Sequence, residues 1–80
     1  MAQIADPDLP NLAALLADEG SINVGYLRPV GQVAIASDPH QALAMLRRRP
    51  DEPLAAVLRR LDAAVATALE HGEFTDEINT

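Results

Sequence analysis

The stretch SDPHQALAMLRRRP, residues 37–50, decides the fold, because it joins an apolar, alternating middle of the chain to a long C-terminal segment of helical periodicity. Ser37-Asp38-Pro39 sets a capping side chain ahead of a proline in the first turn, which predicts a helix through HQALAMLRRR, and Pro50 stops it. Asp51-Glu52-Pro53 repeats the same signal at once and opens a further helix running to about His71. On that helix Leu54, Val57, Leu58, Leu61, Val65 and Leu69 fall in an arc of roughly 120°. The opposite side carries Ala56, Ala63 and Ala66, small residues that leave room for close approach by another helix or simply reflect high helix propensity. Gly72 reads as the C-terminal stop, with Phe74 folding back as a hydrophobic anchor.

Upstream of the deciding stretch, PNLAALLADEG reads as a first helix. Asp8 is placed to cap it, Pro10 suits its first turn, Leu12, Leu15 and Leu16 repeat at helical spacing, and Gly20 ends it. SINVGYLR follows, with Ile22, Val24 and Tyr26 alternating against Asn23 and Gly25 as in a half-buried strand. Arg28-Pro29-Val30-Gly31 supplies a turn, and QVAIAS brings Val33 and Ile35 into a second strand. Because a two-stranded hairpin is marginal alone in water, its apolar face must be covered by helices or its edge must pair with another chain. The expectation is therefore an α+β fold of order α-β-β-α-α. It forms a single domain over residues 1–80, with a short N-terminal arm (1–8) and an acidic C-terminal tail (73–80).

Composition narrows the function classes. One Tyr and one Phe leave the core to Leu, Ala, Val and Ile, and eighty residues leave little spare stability for a deep, strained catalytic cleft. Cysteine is absent, which excludes disulfides and thiolate metal sites. No segment reaches the roughly 18 uninterrupted apolar residues of a membrane span, and MAQIADPDLP lacks a basic leader, so the bacterial cytoplasm is the expected compartment. Twelve acids against six arginines, with no lysine, give a net charge of −6, a field that repels nucleic-acid phosphates.

Five of the six arginines nevertheless cluster in residues 46–62. Arg47, Arg48 and Arg49 are explained by the last turn of the second helix, where cations meet unpaired carbonyls. Arg59 and Arg60 flank the apolar stripe of the last helix, with Asp62, Glu52 or another carboxylate as partners. With neither aromatic stacking groups nor a binding motif, direct nucleic-acid contact is not expected.

Ser37, Asp38 and His40 hold the residue types of a hydrolase triad. A triad converges in space around an oxyanion hole, however, and these are neighbours at one helix start, so capping is the reading. His40 and His71 have no ligand-spaced companions, and Gly20, Gly25 and Gly31 form no phosphate loop. Accordingly no catalytic residue, metal ligand or cofactor site is assigned, and the chain is not expected to be an enzyme.

The acids carry the functional expectation: Asp18 and Glu19 at the end of the first helix, and Glu70, Glu73, Asp76 and Glu77 at the back of the chain. Carboxylates so placed can engage Arg and Lys on a partner. Asp18 and Glu19 also oppose the dipole of the helix they end, a local cost that points to a role beyond stability.

With about eighty residues, one compact α/β unit, no catalytic apparatus and a carboxylate-rich segment such as EFTDEINT, the chain resembles the small acidic anti-CRISPR proteins encoded by phages and prophages. The resemblance is one of whole-chain profile. It implies an inhibitor that occupies the basic, nucleic-acid-binding surface of a type I CRISPR surveillance complex and blocks DNA binding. Asp18, Glu19, Glu70, Glu73, Asp76 and Glu77 would then be its contacts to the partner. The competing expectation is an antitoxin or small regulatory or assembly subunit, which would use the Ala-rich helix, the hairpin edge or the acidic tail to bind a cognate protein or itself.

Overall fold

A computed structural model describes residues 8–79. The elements in chain order are α1 (Pro10–Ala17), β1 (Ser21–Leu27), β2 (Gly31–Ser37), β3 (Ala42–Arg47), α2 (Leu54–His71) and β4 (Thr75–Asp76). The class is α+β, as the sequence implied, but the order α-β-β-α-α is not. The stretch expected to be a second helix is the third strand of a four-stranded sheet ordered β1-β2-β3-β4.

The reason lies in Asp38. Its carboxylate does not cap a helix: Oδ1 accepts the backbone N–H groups of both His40 and Gln41 at 2.7 Å, closing a turn. Within that turn the Asp38 N–H donates to the Gln41 carbonyl at 2.9 Å, so the chain reverses and β3 returns antiparallel along β2. Ala42 to Leu46 is an uninterrupted apolar run, and on a central strand both faces can use it. Ala44 and Leu46 lie on the core side opposite Ala36 and Ala34, while Met45 faces the other way opposite Ile35. The register slips between Ala36 and Ser37, leaving Leu43 as an extra residue whose side chain is buried in the same core.

Both helices cover one face of the sheet. Leu12 and Leu15 of α1 and Val57, Leu61, Val65 and Ala68 of α2 share one cluster with Ala34, Ala36, Ala44 and Leu46. Three fully buried alanines on the sheet let α2 sit close, and Val57, Leu61 and Val65 fill the space they leave. The apolar arc expected on α2 is therefore shifted. Leu54 and Leu69 are exposed and Ala68 is buried instead, while Ala63 on the opposite side faces solvent, as high helix propensity alone allows. The α2 stop is as read, with Gly72 in the left-handed region at φ 68°. Phe74 does not fold back, being 49% exposed.

The hairpin β1–β2 forms across residues 28–30 with Gly31 at φ 109° and a cis Arg28–Pro29 bond. Its two apolar sets do not share a face. Ile22 and Val24 lie opposite Ala36 and Ala34 on the core side, whereas Val33 and Ile35 pair with Gly25 and Asn23 on the side that neither α1 nor α2 covers.

Two further corrections concern the ends. Residues 73–79 are not simply a tail, because Thr75 and Asp76 pair parallel to Ala44 and Met45, and the Glu77 N–H donates to the Met45 carbonyl at 2.8 Å. Of the expected arm 1–8, only Asp8 lies within the described residues, and it makes no cap to α1. The N-cap position is Leu9, with no side-chain hydrogen bond of its own. The cap comes from α2: Asp62 Oδ1 accepts the N–H groups of Asn11 and Leu12, both at 2.9 Å, and Oδ2 accepts Asn11 Nδ2 at 2.9 Å. This buried carboxylate, 8% exposed, places its charge at the positive end of α1 and pins the two helices together. It is thus not the partner of Arg59 or Arg60.

Candidate protein-binding surface

The arginine-rich stretch is anchored from within. Arg60 grips Glu52 in a two-pronged contact, Nε to Oε2 at 2.7 Å and Nη2 to Oε1 at 2.8 Å. It also donates to the Arg47 carbonyl at 3.0 Å and approaches Glu77 Oε2 at 3.4 Å. Glu77 Oε1 in turn accepts the Arg47 N–H at 2.9 Å. One guanidinium thereby ties the end of β3, the turn into α2, α2 itself and the segment after β4 into one unit. The Arg60 contact pulls the Glu52 carboxyl down to about 2, with the Arg49 backbone N–H assisting, and the same pair raises Arg60 above its ordinary value.

Arg47, Arg48 and Arg49 do not end a helix. The Arg48 N–H extends the strand ladder to the Gln32 carbonyl at 2.9 Å, its Nε meets the Glu52 carbonyl at 2.9 Å, and Arg49 sits in the turn closed by Glu52. Glu52 is one of the carboxylates the sequence offered as a partner for Arg60, and Asp62, the other named one, is engaged elsewhere. That Glu77 joins Arg60 and Glu52 was not legible, because it depends on β4 docking beside β3.

The six candidate acids divide into two groups. Asp76 and Glu77 have structural partners: Asp76 accepts the backbone N–H groups of Ile78 and Asn79, both at 2.9 Å, and these bonds with Asn79 Nδ2 lower its carboxyl below the ordinary value. Asp18, Glu19, Glu70 and Glu73 are exposed. No hydrogen bond or ion pair among the described residues links Asp18 or Glu19 to any of the other four. Glu70 approaches the neighbouring His71 at 3.8 Å.

All four exposed acids stand at helix C-termini. Asp18 is the C-cap of α1 with Glu19 next to it at φ 66°, while Glu70 lies in the last turn of α2 and Glu73 just beyond its Gly72 stop. A helix C-terminus already carries about half a negative charge, and stability favours cations there. Here α1 has no basic residue in its last turn and α2 has only His71. Acids added to the negative ends of two helices make two outward foci of negative potential that the fold itself does not use.

The other chemical readings find only local roles. Asp38 is held below its ordinary value by the His40 and Gln41 backbone bonds and thus serves its turn. Among the described residues no group of three or more His, Asp or Glu is placed to hold a metal ion, and no helix is long and apolar enough to cross a membrane. A scan against protein-family models finds no match, and neither the curated proteins nor the solved structures compared contain one.

Proposed function

We propose that the protein is a small protein-binding inhibitor that occupies a basic, nucleic-acid-binding surface of another complex and acts without catalysing a reaction. The observation that carries this reading is the placement of Asp18, Glu19, Glu70 and Glu73 at the negative ends of both helices, where they cost stability and have no structural partner on another element. Such foci attract Arg and Lys that otherwise hold phosphates, and they steer association by a field that salt screens. The whole-chain resemblance to small acidic anti-CRISPR proteins supports a type I CRISPR surveillance complex as the target. Asp76 and Glu77 leave the contact set, since reversing them breaks β4 and the Arg60 network rather than an interface.

The test is capture of that complex by the tagged protein and by the Glu70→Lys/Glu73→Lys double variant. The variant is expected to stay folded and to lose affinity on the order of a hundredfold, about tenfold for each reversed charge. Unchanged affinity removes the α2 end from the interface. A second reading, an antitoxin or assembly subunit bound to a cognate protein, is favoured by the open edge of the sheet at β1, and capture of a toxin in place of the surveillance complex would establish it.

A further inference from the structure

The two edges of the sheet are unlike. The β4 edge is two residues long and is followed by Glu77, so it offers little to a neighbouring strand. The β1 edge is seven residues long, SINVGYL, with no charged residue, no proline and no break in its register. It pairs only with β2 among the described residues. Three of the exposed large hydrophobic residues among those described, Val24, Tyr26 and Leu27, belong to it. Among the described residues, the strand carries none of the charges, prolines or bulges that usually protect an edge.

We infer that β1 pairs antiparallel with β1 of a second copy of this chain, making a continuous eight-stranded sheet. The occupant follows from the strand's own pattern. Centred on Val24, self-pairing sets Val24 against Val24 and Ile22 against Tyr26 on the helix side, and Asn23 against Gly25 on the open side. The strand is flanked by Asp18-Glu19 before it and Arg28 after it. The same register brings Arg28 of each copy opposite Gly20 of the other, next to Glu19, so opposite charges meet at both ends of the seam. A two-fold contact of this kind closes on itself, and both outer edges of the dimer are then the short β4, which stops further growth. Asp18 and Glu19 thereby face the second copy, and Glu70 and Glu73 remain for the basic partner. The inference does not depend on that partner.

Sedimentation equilibrium of the full chain from micromolar to millimolar concentration tests it. A concentration-dependent rise from 8.5 kDa to twice that mass is expected, with no larger species. Val24→Lys and Val24→Glu, at a position 38% exposed, should each be monomeric, and an equimolar mixture should recover the dimer because unlike charges then meet on the axis. Arg28→Glu, in the exposed turn, is expected to weaken the dimer on the order of tenfold without touching the strand. A monomeric mass throughout overturns the inference, as does a dimer whose strength neither Val24 variant nor Arg28→Glu changes.

Discussion

Replacing Asp62 by Ala removes the only side chain among the described residues that caps α1, and the cost can be worked from its contacts. Three hydrogen bonds to one carboxylate are lost, two of them from the Asn11 and Leu12 amides at the positive end of the helix. Loss of an N-cap costs about 0.5–2 kcal/mol. Leu12 is 2% exposed, so its amide lies where water does not readily replace the carboxylate, which adds about 1–3 kcal/mol for a buried donor left unpaired. The sum is about 1.5–5 kcal/mol, a large share of the roughly 5–15 kcal/mol that stabilises a small domain. At about 4–8 °C per kcal/mol for a chain of this size, it lowers the thermal midpoint by roughly 6–40 °C. Asp62→Asn keeps Oδ1 as acceptor for both amides and loses only the charge and the favourable contact to Asn11 Nδ2, so about 1 kcal/mol is expected. Urea unfolding of the three proteins by circular dichroism gives the comparison. An Asp62→Ala variant within about 0.5 kcal/mol of the parent, or an Asn variant as damaged as the Ala one, would refute the reasoning.

Acid should loosen the fold through Glu52, whose folded carboxyl sits at about 2 against an ordinary 4.5. Because the unfolded chain binds the proton first, this contribution is complete above about pH 4.5 and is lost as pH falls toward 2. Asp38 and Asp76, both lowered, act in the same direction. Urea midpoints across that range should fall for the parent and fall less steeply for Glu52→Gln; equal slopes would remove Glu52 from the account. Gly20→Ala should destabilise by about 1–3 kcal/mol, since its Cβ would lie 2.5 Å from Leu15 Cγ and 2.7 Å from the Leu15 carbonyl oxygen. Gly25→Ala, with open space around the new methyl, should stay within about 0.5 kcal/mol of the parent in the same urea titration.

The long helix was legible because Val57, Leu61 and Val65 repeat with a helical period long enough to outweigh local ambiguity. Residues 42–47 were not, because Ala, Leu, Met and Arg favour a helix in isolation and Asp38-Pro39 imitates a helix start. Tertiary context overrode both: Asp38 spent its carboxylate on a turn, and the apolar run pairs with β2 on one side and β4 on the other, an interior strand whose Leu43, Ala44 and Leu46 are buried in the core. The Asp62 cap was beyond reach for another reason, since it joins residues about fifty positions apart and only a carboxylate at the margin of the α2 apolar arc hinted at it. The pattern of charge singled out six candidate acids. It did not separate Asp76 and Glu77, which serve the fold, from the four at helix ends, because that division depends on β4 lying beside β3.

The core proposal is that outward acids at helix ends, Glu70 and Glu73 foremost, engage a basic surface made for nucleic acid. Its most direct test is retention of a type I CRISPR surveillance complex by the tagged protein, with the complex's DNA binding measured in parallel over a salt series. The account predicts capture that weakens as salt rises and DNA binding that falls in proportion to the complex captured. No capture at low salt, or capture that leaves DNA binding intact, would contradict it.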